Sequence, residues 1–230
     1  MAGYRDRADD TAQPYGADDR TVTGWLNEAV DEAAIRAKLL FDSSSPICSL
    51  PIRANQAVYQ LASAIDTVSD AWLESTGAQL VGTDQSAMDR LQPPPGWVVS
   101  PDNWPTINWR KWTGRPRWFI QDDRRLQLVP VPTAADTLHL SVYRIAMSSE
   151  RLRAENKSGE PVIAGKWHER LIDWALYRAY SRRDEDQSDP NLAATHFGLF
   201  EASFGSRPSA NVARKRNERR AHTTRINWPR

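Results

Sequence analysis

The chain has 230 residues, 40% of them hydrophobic, and a mean hydropathy of -0.63, which allows one sizeable core under a polar surface. No apolar run approaches the roughly 20 residues of a membrane span, and the opening segment lacks the apolar stretch of a secretory leader, so a soluble, unexported protein is expected. Net charge is only +1, but residues 207–230 hold eight Lys and Arg against the single acid Glu218, leaving 22 basic and 28 acidic residues elsewhere.

That division is a mildly acidic body with a basic tail, which suits an acidic partner. Basic residues are 25 Arg and 5 Lys, and the planar guanidinium pairs bidentately with carboxylates and phosphates. Cys48 is the single cysteine. It is read as a small buried apolar residue in a reducing compartment, with no internal disulfide and no zinc-ligand spacing around it.

Residues 1–19 are acidic, small and aperiodic, and are expected to form a disordered N-terminal arm. From Thr21 the apolar residues Val22, Trp25, Leu26, Ala29, Val30, Ala33, Ala37 and Leu40 recur at three- and four-residue steps. They predict an amphipathic helix over about 21–41, capped by Thr21 or Thr23 and stopped by the run from Asp42 to Pro46. Ile47 to Arg53 and Val58 to Leu61 flank the polar turn at 54–57 and predict a hairpin. Residues 65–81 are compatible with a strand near Val68 to Leu73 and another at Gln79 to Val81. Asp84 is placed to cap a short helix running to Leu91, before Pro93, Pro94 and Pro95.

Five of the ten tryptophans lie between Trp97 and Trp118. Interleaved with prolines and glycine, they predict a long packed loop. Strand-like runs follow at Arg117 to Gln121, Arg125 to Val131 and Thr137 to Ile145, separated by turn residues at 122–123 and 133–136. Leu126 and Leu128, then Leu138, Leu140 and Val142, alternate with polar residues, as in a sheet with one wet face. After a charged loop at 148–160, a helix is predicted over about 166–183. Asp189-Pro190 then supplies a cap and first-turn proline for another over about 189–205, closed by Gly205. The short linker makes the two an antiparallel hairpin.

The expected fold is therefore α+β. An N-terminal helix and a C-terminal helical hairpin form a bundle, with an antiparallel β insert over about 47–146 and extended arms. The body is 20–206 and the basic C-terminal arm 207–230.

No catalytic constellation emerges. His139, His168, His196 and His222 are scattered, and Ile172 stands where a metalloprotease helix opened by His168-Glu169 would need its second histidine. Nucleophile elbows, phosphate loops and dinucleotide fingerprints are absent from the sequence. No enzymatic activity, metal or cofactor is expected. Two segments invite a binding role. Trp109, Arg110, Trp112, Arg115, Arg117 and Trp118 alternate residue types enriched at interface hot spots and suggest a subunit contact, against a packed core as the plainer reading and base stacking beside cationic groups, as in single-strand binders, as a third. In the tail, Arg214, Lys215, Arg216, Arg219, Arg220, Arg225 and Trp228 combine charge with a terminal aromatic and suggest a docking arm.

In their order, several short motifs resemble the head-to-tail adaptor (connector) proteins of tailed phages. Thr23-Gly-Trp-Leu-Asn-Glu-Ala29 opens the first helix, and Leu50-Pro-Ile52 with Tyr59-Gln-Leu61 comes next. Trp109-Arg110, Gly114-Arg-Pro116, Leu126-Gln-Leu-Val-Pro-Val-Pro132 and Tyr143-Arg144 follow. His168 through Trp174-Ala-Leu-Tyr-Arg-Ala-Tyr180, Phe200-Glu201 and Phe204-Gly205 complete a resemblance over roughly residues 20–206. It implies a structural virion protein at the neck, assembled in the host cytoplasm as a twelve-subunit ring around the DNA channel. Its partners would be portal protein above and tail or nozzle proteins below. The competing readings are a nucleic-acid-binding protein using its basic tail and a tail-tube or tail-terminator subunit.

Overall fold

The computed structural model describes residues 2–11, 13, 15–90, 109–156, 158–182 and 188–208. In chain order the elements are α1 (Ala2–Arg7), α2 (Asp19–Ala37), β1 (Phe41–Asp42), β2 (Ser49–Ile52), β3 (Val58–Gln60), β4 (Ile65–Leu73) and β5 (Gln79–Thr83). They continue with α3 (Gln85–Asp89), β6 (Thr113–Gly114), β7 (Trp118–Asp122), β8 (Arg125–Val129), β9 (Val131–Pro132), β10 (Asp136–Arg144), α4 (His168–Tyr180) and α5 (Pro190–Phe204). The chain divides into two units, Met1–Phe41 with Tyr143–Arg207, and Asp42–Val142 with Pro208–Arg230.

The first unit is helical. Asp18 caps α2, its carboxylate accepting the Thr21 backbone N–H at 2.7 Å, so neither Thr21 nor Thr23 is the cap. Thr23 instead lies inside the helix and donates its hydroxyl to the Asp19 carbonyl. The helix stops at Lys38, whose φ of 52° is left-handed. In α5 the Asp189 carboxylate accepts the Asn191 and Leu192 N–H groups at 2.9 and 3.0 Å, with Pro190 in the first turn and Gly205 closing the helix at a φ of 84°. The Asp189 N–H donates to the Tyr180 carbonyl, which ties the start of α5 to the end of α4. Between these two helices Trp174 and Phe200 pack with ring centroids 4.9 Å apart, and Phe200 meets Phe204 at 4.7 Å. The apolar stripe of α2, including Val22, Ala29 and Ala33, joins them in one core.

The N-terminal segment is a correction to the expected disordered arm. Its apolar content is too small to signal a core from composition, yet α1 places Tyr4 in the same cluster, 3% exposed and 6.2 Å from the Trp25 ring. Arg5 holds the following loop. It pairs with Asp10 at 2.6 Å and Asp19 at 2.7 Å, donates to the Ala17 carbonyl, and lies 3.5 Å over the Tyr15 ring.

The second unit is built on an eight-stranded sheet in the order β1-β10-β4-β5-β7-β8-β3, with β2 also paired to β10. Leu126, Leu138, Leu140 and Val142 have no exposed surface, and burying each such side chain contributes about 1.5–3 kcal/mol. The period of two sends neighbours to opposite faces. Phe119 and Leu128 enter the main sheet core, while Ile120 and Val129 enter a second cluster with Met88 and Trp109.

These pairings overturn the expected architecture of a helical bundle with an antiparallel insert. The sheet is a principal component, and it is mixed. β5 runs parallel to β7, with Val81 opposite Trp118, and β6 runs parallel to β9. A parallel pair needs a long crossover, and the chain between Thr83 and Trp118 supplies it. The expected 47–61 hairpin is also corrected, because β2 pairs with β10 and β3 with β8. The Asn55 N–H donates to the Pro132 carbonyl, and the Tyr59 hydroxyl bonds the backbone of Arg53 and Gln56, so the turn between β2 and β3 is anchored while its strands part. In β4, buried residues fall at 65, 68, 71 and 73. Gln121 patches this break in alternation, accepting from the Val68 N–H and donating to the Asp66 carbonyl.

Candidate assembly surfaces

The Trp/Arg segment divides by residue type. Trp109 is 3% exposed and donates its indole N–H to Asp89 at 2.6 Å. That hydrogen bond, followed by one from Arg110, holds the Asp89 carboxyl below its ordinary range. Trp112 and Trp118 are half-buried, 6.4 Å apart, and pack on the cluster of Met88, Ile120 and Val129. These tryptophans therefore serve their own unit first, because each indole fills a gap over the second face of the sheet. The cations point outward. Arg110 pairs with Asp89 at 3.2 Å and stacks 4.1 Å over the Trp109 ring, Arg115 donates to the Thr76 hydroxyl, and Arg117 is exposed. Trp97 and Trp104 lie outside the described residues.

The proposed docking residues Arg214, Lys215, Arg216, Arg219, Arg220, Arg225 and Trp228 also lie outside the described residues. The root of the arm is described. Arg207 pairs with Glu32 of α2 at 3.1 Å. Glu32 also receives Arg36 at 3.1 Å, and Arg36 donates to the Gly205 carbonyl. The Arg36 side chain is 3% exposed, its guanidinium 5.3–5.6 Å from the rings of Trp174, Phe197 and Phe200. A buried cation facing three rings gains attraction from their quadrupoles, and Glu32 balances its charge.

Two further features were not legible as sites. Asp173 on α4 is 1% exposed and receives Arg7 from α1 at 2.5 Å and His196 from α5 at 3.2 Å. The three residues are too far apart in sequence to form a motif. The second is the outer face of α5. Leu192 and Leu199 are 41% and 43% exposed, and Glu201 is the only Lys, Arg, Asp or Glu in the helix. A helical wheel would have found this face, since the two leucines stand seven apart and away from the buried Ala193, Phe200 and Phe204.

His222 lies outside the described residues, and the other three histidines have structural surroundings. His168 bonds the Ile163 carbonyl, His139 stacks on Trp72, and His196 stacks on Tyr180 beside Asp173. Cys48 is a buried free thiol, and burial pushes its pKa up. Among the described residues no group of three or more His, Cys, Asp or Glu could hold a metal ion, and no helix is long and apolar enough to cross a membrane.

Compared with known proteins, the chain is similar to a class of phage structural proteins that act as adaptors, which is not an enzyme class. The family model described as SU10 adaptor protein matches residues 2–227, and the chain belongs to that family. No curated protein matches it.

Proposed function

We propose that the protein is the head-to-tail adaptor of its phage, forming a ring of twelve subunits that joins portal to tail around the DNA channel at the neck of the virion. The observation that carries this reading is the family match across residues 2–227, which takes in both units. Two features support it. The exposed cations Arg110, Arg115 and Arg117 lie in the same segment as the packed Trp109, Trp112 and Trp118, and Arg110 stacks on the Trp109 ring, a combination of residue types that suits a contact between folded bodies. The basic arm is rooted by the Arg207–Glu32 pair, so it leaves a fixed point on the helical unit.

In this reading the mechanism is geometric. Folded bodies supply the ring contacts, with Arg110, Arg115 and Arg117 and the half-buried Trp112 and Trp118 at the subunit boundary, and the buried Trp109 supporting them from within its own unit. The arm, through Arg214, Lys215, Arg216, Arg219, Arg220, Arg225 and Trp228, orders on the portal. Ordering costs conformational entropy, so the arm gains affinity only where an assembled portal presents a complementary surface. Tail or nozzle proteins then meet the completed ring.

Electron microscopy of the purified protein, alone and mixed with portal rings, tests this. Rings seated on portal are expected. Filaments coating added DNA, with binding that falls on a log–log salt slope of about -7, would instead mark a nucleic-acid-binding protein using the basic tail.

A further inference from the structure

Two guanidinium groups share the Glu32 carboxylate, one on each oxygen. Arg36 Nε meets Oε2 at 3.1 Å, and Arg207 meets Oε1 at 3.1 Å. Their surroundings differ. The Arg36 side chain is 3% exposed and that of Arg207 is 62% exposed. Arg36 is also fixed by the Gly205 carbonyl, by Glu201 at 3.9 Å and by the rings of Trp174, Phe197 and Phe200. Among the described residues, Glu32 is the one ion-pair partner of Arg207.

That difference decides which cation is free to leave. Taking the carboxylate from a buried guanidinium strands a charge in the core, which is strongly destabilising. An exposed pair exchanges its partner for water at little cost, and salt lowers that cost further. The Arg36 bond to the Gly205 carbonyl also matters, because it fixes the chain two residues before Arg207. Arg207 therefore reaches Glu32 with very little loop to order.

We infer that Glu32 is a two-cation clamp on the root of the C-terminal arm, with Arg36 its permanent occupant and Arg207 its exchangeable one. While Arg207 is held, the chain beyond α5 is tied to the last two turns of α2. When a competing anion draws Arg207 away, Arg36 stays paired with Glu32 and the aromatic core stays closed. The root of the arm is then released without unfolding the helical unit. Glu32 offers Arg207 the chemistry that an acidic protein surface would offer, so it stands in for such a partner in the free subunit. The clamp is weak by design of its exposure. An exposed ion pair shifts an equilibrium by at most about fivefold, so the held and free states respond to ionic strength.

Spin labelling reads the clamp directly. A nitroxide is attached to the full chain carrying Ser206→Cys, next to Arg207, and the parent chain with its buried Cys48 is the labelling control. At low salt the label should be largely immobile, and sodium chloride should raise its mobile fraction by up to about fivefold. Adding Arg207→Gln should give the mobile spectrum already at low salt and abolish the salt response. Arg207→Lys should restore both the immobile spectrum and its salt response. Thermal melts separate the two cations: Arg207→Gln should melt with the parent, whereas Glu32→Gln should melt lower because it strands Arg36. A label equally mobile with and without Arg207→Gln, a spectrum indifferent to salt, or equal melts of Arg207→Gln and Glu32→Gln would each overturn the inference. The measurements use no portal, so a failed clamp and a failed adaptor reading are told apart.

Discussion

Arg7 and Asp173 meet at 2.5 Å although 166 positions separate them. The pair clips the N-terminal helix to the C-terminal hairpin, and His196 approaches the same carboxylate from α5. Among the described residues the second Asp173 oxygen is buried without a hydrogen-bond partner, and Arg7 and His196 both meet the first. The N-terminal segment is thereby part of the fold.

Truncating residues 1–8 should lower the urea midpoint of the helical unit. Tyr4→Ala removes a ring that is 3% exposed and should cost about 3 kcal/mol. Arg7→Ala should cost less, about 1–2 kcal/mol, because the Arg7 side chain is 40% exposed and partly screened. Chemical denaturation of the three variants checks the order, and a truncated chain as stable as the parent would show that α1 is dispensable.

Alkaline pH offers a separate probe of the same site. Burial, followed by the nearby Asp10 charge, pushes the Tyr4 phenol pKa up to about 12. The folded chain then keeps a proton that the unfolded chain releases near pH 10. The stabilisation from Tyr4 is complete below that pH and is lost as pH rises through about 12. Denaturation midpoints across that window should fall more steeply for the parent than for Tyr4→Phe, which retains the ring and lacks the ionisable hydroxyl.

The α4–α5 seam should be sensitive to truncation. Trp174→Ala and Phe200→Ala are each expected to destabilise by about 3–5 kcal/mol. With ring centroids 4.9 Å apart, the double variant should lose less than the sum, because each single change already loosens the shared site. Asp189→Ala, which leaves the Asn191 and Leu192 N–H groups without their acceptor, should cost about 1 kcal/mol. Thermal melts across this set distinguish core from cap, and an unchanged melt with lost assembly would move Trp174 or Phe200 to an interface.

In the sheet unit, Trp109→Ala should cost about 3–5 kcal/mol through loss of the ring from its cluster. Arg115→Ala and Arg117→Ala are exposed changes and should leave the melt within about 0.5 kcal/mol of the parent. If the cations form the proposed subunit contact, those two variants fold normally and fail to form rings, which sedimentation velocity reads directly.

Deleting residues 209–230 while keeping Arg207 and its pair with Glu32 should leave a folded body that no longer holds portal. Trp228→Ala should mainly speed dissociation. Neutralising Arg214, Lys215, Arg216, Arg219, Arg220 and Arg225 should mainly slow association and flatten its salt dependence. Surface plasmon resonance on immobilised portal at low and high salt separates the two, and undiminished binding by the deletion variant excludes a docking arm.

The sequence by itself determined the local elements, because their causes lie within a few residues. The Asp189-Pro190 start and Gly205 stop of α5, the Asp84 cap of α3 and the apolar stripe of α2 all act at separations of four residues or fewer. The Trp/Arg segment was legible as a cluster, but burial alone separated Trp109 from the outward cations. Tertiary structure decided which strands meet. β2 and β3 carry the turn residues of a hairpin, yet Leu50 lies opposite Leu138 and Tyr59 opposite Leu126, because each strand gains more by extending a sheet than by closing a two-stranded ribbon of marginal stability. The parallel β5–β7 pair, the seat of α1 and the convergence of Arg7 and His196 on Asp173 depend in the same way on distant segments. No periodicity or spacing within the chain records such pairings, since burial against a remote partner sets them.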